Sequence, residues 1–370
     1  MKKTILFAAL AVVAMSSCTK NELKVPSTGS DAVISFQPVV ANATKATYLT
    51  TANMKDQCNE FGVFAWYAEP TLVAGSTTTA YMDNVTVTYD SLKDDDTDGS
   101  GAWKPSENYY WPKNGTLSFD AYAPASAHAT TPGLGTGKVK STADKGLKIE
   151  NYTVAELANQ YDLLYSTRTL NKSKSTDGTN TTYDGVDIAF HHALSAVEVT
   201  AKTKDDYSDA IKLTKITILY AQNKGEFNQK MNNAVTEGTP KWTNNDTEVS
   251  YVLFSGDQAL SKTALTSSTT PAISNAILLP QKFDHTATSN KVSIRVDYTI
   301  KHGTEELAQY YVVDLSSTSG AVAGGSSAPL SAWEIGKRYT YNFIFSLDEV
   351  YFAPEVAEWT KVTVKDIDVK

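Results

Sequence analysis

Val292-Ser293-Ile294-Arg295-Val296-Asp297-Tyr298-Thr299-Ile300 is the stretch that decides the fold. Every second residue is apolar and its neighbours are polar, the pattern of a strand with one face buried and the other wet. Tyr339, Tyr341, Phe343 and Phe345 repeat it further along. Residues 211–220, 249–254, 272–279 and 309–315 also read as strands, and 211–220 changes phase at Lys215. Short strands at this spacing, with turn signals between them, predict β-sandwiches. The 20 tyrosines and abundant threonine agree, because aromatic and β-branched residues favour pleated surfaces.

Working back towards the N-terminus, residues 31–40 form a first strand. Ala32, Ile34, Phe36, Pro38 and Val40 share one face, and Pro38 places the strand at an edge or marks its end. Residues 41–47 are small and polar around Lys45; such a segment is open to proteases, although sequence alone favours an ordinary loop. Residues 61–67, 81–89 and 116–123 are further strands. Between two of them Asp94, Asp96, Asp98 and Gly99 match the first half of a calcium loop. The closing glutamate falls on Pro105, with Glu107 two residues late, so a solvated acidic turn reads better than a cation site. Trp66, Trp103, Tyr109, Tyr110 and Trp111 form either a platform for sugars or a core plug, and the habitual burial of tryptophan favours the core.

Thr153-Val154-Ala155-Glu156 has capping-box spacing and predicts a short helix over 154–160. Residues 171–185 read as a long hairpin loop. The apolar run 188–202 shifts phase between Leu194–Ala196 and Val197–Val199, which predicts a bulge or a strand passing between domains. His191 and His192 point to opposite faces there and cannot easily share a metal. No catalytic or cofactor motif occurs, so neither an enzyme nor a cofactor is expected. A carboxylate-pair hydrolase is the reading with least support.

The two ends are the most distinctive parts. Lys2 and Lys3 precede a short apolar run, 5–14, and then Met15-Ser16-Ser17-Cys18. The run is too short to span a bilayer, and the pattern is that of a bacterial lipoprotein signal. Cys18 is the residue to be acylated and becomes the first residue after cleavage; the polar stretch after it is a tether to residue 30. Loss of residues 1–17 takes the net charge from −8 to about −10, which excludes a nucleic-acid footprint and a polybasic lipid patch. With Cys18 acylated, Cys58 has no disulfide partner. At the other end Val356, Trp359, Val362, Val364, Ile367 and Val369 keep the chain apolar almost to Lys370. Most termini are polar, so this one needs a groove, its own or a neighbour's.

Several blocks resemble the fimbrillins of Bacteroidales. They are the lipoprotein signal, Thr44-Lys45-Ala46, Phe61-Gly62-Val63-Phe64-Ala65, Tyr161-Asp162-Leu163-Leu164-Tyr165-Ser166, Phe190-His191-His192-Ala193-Leu194-Ser195, Leu278-Leu279-Pro280-Gln281 and Trp333-Glu334-Ile335-Gly336-Lys337-Arg338-Tyr339-Thr340-Tyr341. The resemblance implies an all-β chain of two tandem transthyretin-like Greek-key β-sandwich domains. It divides as signal peptide 1–17, tether 18–30, N-terminal domain 31–190 and C-terminal domain 191–370 with a donor-like strand 356–370.

It also implies a type V pilus subunit on the outer membrane, freed by a cut between Lys45 and Ala46, where well-studied members carry arginine. Removal of 31–45, with Ile34, Phe36 and Val40 as its plugs, then bares a groove for Val362, Val364, Ile367 and Val369 of another subunit, of the same or a different kind. Such a fimbria would serve adhesion to a host or bacterial surface. Asp90-Ser91-Leu92 further resembles the phylum's O-glycosylation signal, on Ser91. The competing readings are a static outer-membrane lipoprotein binding glycans through the aromatics, and a pilus anchor that keeps Cys18.

Overall fold

The computed structural model describes residues 33–40, 48–90, 103–125, 138–174, 185–207, 210–245, 247–284, 290–317, 319–322, 326–347 and 350–358. Their regular secondary structure is almost entirely strand, with one short helix, Met54–Gln57, and 3₁₀ turns at Leu157–Asn159 and Leu315–Ser317. The all-β expectation is met.

The first sheet holds β1 (Phe36–Val40), β2 (Glu60–Ala68), β3 (Thr79–Tyr89), β4 (Trp103–Pro105), β5 (Thr116–Ala123), β8 (Leu164–Ser166), β9 (Thr169–Lys172) and β10 (Val186–His192). Its order is β2-β3-β4-β1-β10-β8-β5-β9, and β2 also pairs with β5, so the sheet folds back on itself. Inside it an aromatic cluster packs edge to face, with Phe36 5.9 Å from Phe61 and 5.6 Å from Phe119, and Phe61 5.5 Å from Phe190. Alternation explains this: Val186, Ile188 and Phe190 are buried while Asp187 and Ala189 between them are exposed.

The apolar run after β10 breaks at Ala193-Leu194 and continues as β11 (Ser195–Thr203). β11 belongs to a second sheet, ordered β16-β11-β23-β24-β20-β21, with β16 (Ala276–Leu278), β20 (Ser319–Val322), β21 (Ser326–Pro329), β23 (Lys337–Phe345) and β24 (Val350–Glu358). The phase shift in the sequence is thus a passage from one sheet to another. The break is buried, and its carbonyls are satisfied: Trp242 Nε1 donates to Ala193 O at 2.6 Å, and Gly336 N to Leu194 O at 3.0 Å.

Tyr339, Tyr341, Phe343 and Phe345 alternate inward from β23. The sheet β15-β12-β18-β19 comprises β12 (Ile211–Gln222), β15 (Glu248–Ala259), β18 (Ser293–His302) and β19 (Glu305–Asp314). Ile294 and Val296 of β18 are fully buried and belong to the same core as those β23 aromatics. β12 slips register between Leu213 and Lys215 against both neighbours, the irregularity its phase change predicts. A two-stranded ladder joins β17 (Gln281–Lys282) to β22 (Ala332–Trp333).

A smaller sheet, β14-β13-β7-β6, joins β6 (Val139–Thr142) and β7 (Gly146–Thr153) to β13 (Lys224–Asn228) and β14 (Lys241–Asn244). It therefore takes two strands from before the Ala193–Leu194 break and two from after it. Arg168 pins this junction without solvent exposure. Its Nε and Nη2 donate to Asp120 at 2.8 and 2.5 Å, and its Nη1 to the carbonyls of Ala143 and, at 2.8 Å, Ala234. The helix expected over 154–160 is only the 3₁₀ turn. Thr153 ends β7, Val154 N donates to Asn223 O, and the N-terminal flanking residue is Glu156, with no side-chain cap. Glu156, which the capping box needs inside the helix, is instead extended at ψ 150° and flanks the turn.

Candidate functional site: the groove filled by the first strand

β1 is held as an added strand. It lies parallel on β10 from Phe36 opposite Val186 to Val40 opposite Phe190, and Val186 N donates to Ser35 O at 2.8 Å. On its other flank β4 meets it only at Phe36 opposite Trp103, while Ile34 N donates to Tyr109 O at 2.8 Å. Since Ser35 turns its carbonyl to β10, strict alternation turns the nitrogen of Pro38 away, where no ladder partner stands among the described residues. The missing N–H therefore costs no bond, which accounts for Pro38 inside a paired strand.

Ile34, Phe36 and Val40 are 0, 0 and 6% exposed, whereas Val39 is 44% exposed, so one face plugs the core and the other meets solvent. Gly185 lies directly beneath. Its φ is +96°, and a Cβ there would sit 2.8 Å from the backbone carbon of Phe36. Only glycine allows the two backbones to pass so closely.

The chain after the strand is anchored separately. Tyr48 is fully buried; its hydroxyl donates to Glu198 Oε1 at 3.4 Å, and burial holds the phenol well above its usual pKa. Leu49 N donates to Asp162 Oδ2 at 3.0 Å, and His192 Nδ1 lies 2.8 Å from the same oxygen. Asn53 closes a local turn: its Oδ1 accepts from Thr50 N at 2.6 Å, and its Nδ2 donates to Tyr48 O at 2.8 Å. Thr51 alone ties this segment to β1 among the described side-chain bonds, its Oγ1 accepting from Val40 N at 2.9 Å and donating to Val40 O at 3.4 Å.

Ile34, Phe36 and Val40 are thus brought into one groove. Cys18, Lys45, Ala46, Ser91, Asp94, Asp96, Asp98, Val362, Val364, Ile367 and Val369 lie outside the described residues. Val356 lies in β24, paired in the chain's own sheet opposite Tyr339. At the centre of the aromatic set the core reading favoured by the sequence holds. Trp103 is buried 5.4 Å from Phe61, and Trp111 is buried 6.3 Å from Phe119, so neither can offer a face to a sugar. Trp66, Tyr109 and Tyr110 are half-buried.

His191 stacks at 5.6 Å on Tyr165 while His192 turns to Asp162, so the two histidines diverge. Cys58 is a buried free thiol donating to Glu60 O at 2.9 Å, and burial pushes its pKa up to about 12. Among the described residues no cluster of three or more His, Cys, Asp or Glu is placed to hold a metal, and no helix is long and apolar enough to cross a membrane. Residue-by-residue reading missed Tyr48, Gly185 and the Asp162–His192 contact, whose partners are far apart in the chain.

The family model described as fimbrillin-like matches residues 44–359. A fimbrial protein from Bacteroides vulgatus shares the fold at TM-score 0.53 and 17% identity, over 89% of this chain and 100% of that one. A candidate cell adhesion protein from Bacteroides uniformis does so at TM-score 0.51 and 20% identity, over 89% of this chain and 99% of that one. No curated protein matches the sequence. The chain belongs to the fimbrillin-like family, and like its members it is a non-enzymatic subunit of a surface fimbria.

Proposed function

We propose that this subunit is exported as a lipoprotein on Cys18, cut after Lys45, and polymerised by donor-strand exchange. In the precursor Ile34, Phe36 and Val40 plug the groove. Once they leave, Val362, Val364, Ile367 and Val369 of another subunit fill it. The observation that carries this reading is the division of labour on either side of residues 41–47. Before them, β1 is an added strand whose apolar side chains enter a ready-made core. After them, Tyr48, Leu49 and Asn53 are fixed by partners outside β1. A cut between the two parts frees the plug and leaves the rest tied down. Strand addition suits the exchange, because main-chain bonds supply affinity and alternate side chains supply fit. A head-to-tail contact that does not close generates a filament.

The rest of the reading follows from this. Two sandwiches, 31–190 and 191–370, meet at the Ala193–Leu194 passage, with the β14-β13-β7-β6 sheet bridging them. Partners are other pilus subunits, the outer membrane through the Cys18 lipid before processing, and a surface ligand of the assembled fimbria. The test is the N-terminal mass of protein sheared from cells. A start at Ala46 is expected. A lipidated start at Cys18 would overturn the polymerising role and favour an anchor, whose groove stays filled.

A further inference from the structure

The sheet β15-β12-β18-β19 ends at β19, and no described strand pairs with the far side of that strand. Natural edge strands are blunted by charge, proline, bulges or a covering element. β15, at the other end of the same sheet, is irregular, its register against β12 slipping between Leu213 and Lys215, Ile216 and Thr217, and Ile218 and Ala221. β19 slips nowhere: it pairs with β18 without interruption from Glu305 opposite His302 to Asp314 opposite Ser293. Its centre, Leu307-Ala308-Gln309-Tyr310-Tyr311-Val312, carries no charge, proline or glycine. Leu307, Tyr310, Tyr311 and Val312 are 48, 63, 38 and 44% exposed.

The ladder also sets the direction of the backbone groups. Lys301 N donates to Ala210 O, away from β19, while Val292 O accepts from Leu315 N on the β19 side. Alternation along this unbroken ladder turns the even-numbered residues of β18 to β19, and the odd-numbered residues of β19 to β18. Glu306, Ala308, Tyr310 and Val312 therefore turn their N–H and C=O groups outward.

We propose that β19 is a docking edge for β19 of a second copy of this chain. The two strands run antiparallel about a two-fold axis through Gln309 and join two four-stranded sheets into one. A two-fold normal to the sheet pairs positions of equal parity. With Gln309 on the axis, Ala308 and Tyr310 exchange main-chain bonds, as do Glu306 and Val312, about eight bonds in all. Small meets large on the outer face, Ala308 against Tyr310, and Leu307 meets Tyr311 on the inner face. Charge fits this register. Glu306 comes opposite Val312 of the second copy, whose ladder neighbour is Arg295. Moving the axis to Tyr310 would instead set Glu306 against Asp314.

The contact uses neither the first-strand groove nor residues 359–370, so it stands apart from the donor-strand reading. A head-to-tail contact lengthens a filament, whereas a two-fold contact closes on a pair, so this one joins fimbriae side by side. One strand edge falls short of the about 1,200–2,000 Å² of a standard interface, so free subunits should pair only near about 100 μM. Repetition along two fimbriae supplies avidity.

The experiment uses the uncut chain, residues 18–370 with Cys18→Ser, whose first strand still fills its groove. Gln309→Cys places a thiol on the axis, where the Cα atoms of a non-hydrogen-bonded pair stand about 4.5 Å apart, within disulfide reach. Val252→Cys, exposed on β15, is the control, and Cys58 stays out of the reaction because it is buried with a raised pKa. The sedimenting mass should rise with concentration towards twice that of the monomer, and oxidation should link Gln309→Cys chains but not Val252→Cys chains. Ala308→Pro removes an outward N–H and no bond to β18, so it should leave the melting midpoint unchanged and abolish both signals. A monomer at every concentration would overturn the proposal, as would a dimer that survives Ala308→Pro. A thiol at position 309 shielded from alkylation in the monomer would also overturn it, and would mean that another segment of the same chain covers the edge.

Discussion

Phe36→Ala should weaken the precursor and leave the processed subunit untouched. Phe36 is fully buried, 5.9 Å from Phe61 and 5.6 Å from Phe119. Truncating a buried phenylalanine costs about 3–5 kcal/mol, part transfer and part cavity. For a unit of 150–250 residues, at about 2–4 °C per kcal/mol, that lowers the melting midpoint by about 6–20 °C. The same loss falls on the nicked complex, where 31–45 is held without a peptide bond. At about 1.4 kcal/mol per decade the fragment should bind about two to four decades more weakly. The assay compares thermal melts of uncleaved chains, then follows fragment release after cutting at Lys45. Once the fragment is gone, wild-type and variant proteins have the same sequence and should melt together. Unchanged precursor stability, or an unchanged rate of fragment release, would refute the reasoning that Phe36 is the principal plug.

Asp162→Ala removes the acceptor of Leu49 N and the partner of His192 Nδ1. At about 1–3 kcal/mol for each buried group it should cost about 2–6 kcal/mol and open residues 48–53 to proteolysis in the uncut chain. Arg168→Met leaves the Asp120 carboxylate buried beside an apolar side chain and should cost about 3–5 kcal/mol by urea denaturation, while Arg168→Met with Asp120→Leu should cost less than the sum of the single changes. The Cys58 pKa is raised in the fold, so its neutral thiol favours folding below the unfolded value of 9.0, and that advantage is lost as pH rises through about 12. At pH 8 the folded chain should carry about a thousandfold less thiolate than the unfolded chain, and alkylation followed by mass should slow accordingly. Ile367→Asp with Val369→Asp should abolish polymer ladders and leave monomer stability unchanged; continued ladder formation would remove these residues from the donor role.

Alternation made most strands legible, because the same period sets both sequence and burial: Phe343 and Ile294 announce their faces without knowledge of their partners. The irregularities were legible for the same reason. The phase changes at Lys215 and near Leu194 mark a register slip and a change of sheet. What alternation leaves open is which strand lies beside which. Nothing local in 139–153 says that it pairs with 224–228, and nothing in Gly62 says that β2 will meet β5 as well as β3. The anchor at Tyr48 was hidden likewise, since Asp162 and Glu198 lie 113 and 150 residues away from the groups they hold. The helix expected at 154–160 is cut to one 3₁₀ turn because Thr153 pairs with Lys224 in the β7–β13 ladder and Glu156 stays extended, which no local pattern announces.

The β14-β13-β7-β6 sheet has a mechanical meaning. A fimbria is pulled along its length, and every subunit in series carries the full tension. The backbone from β10 to β11 runs through Ala193 and Leu194, so it alone would join the first sheet to the second at a single point. The smaller sheet adds a second attachment beside that point, with β7 paired to β13 from Lys148–Asn228 to Thr153–Lys224. Bending the parts before and after the break away from each other must break this ladder and also pull the Arg168 guanidinium from the carbonyl of Ala234. A fimbria built of such links resists flexing within each subunit, which concentrates its compliance at the contacts between subunits.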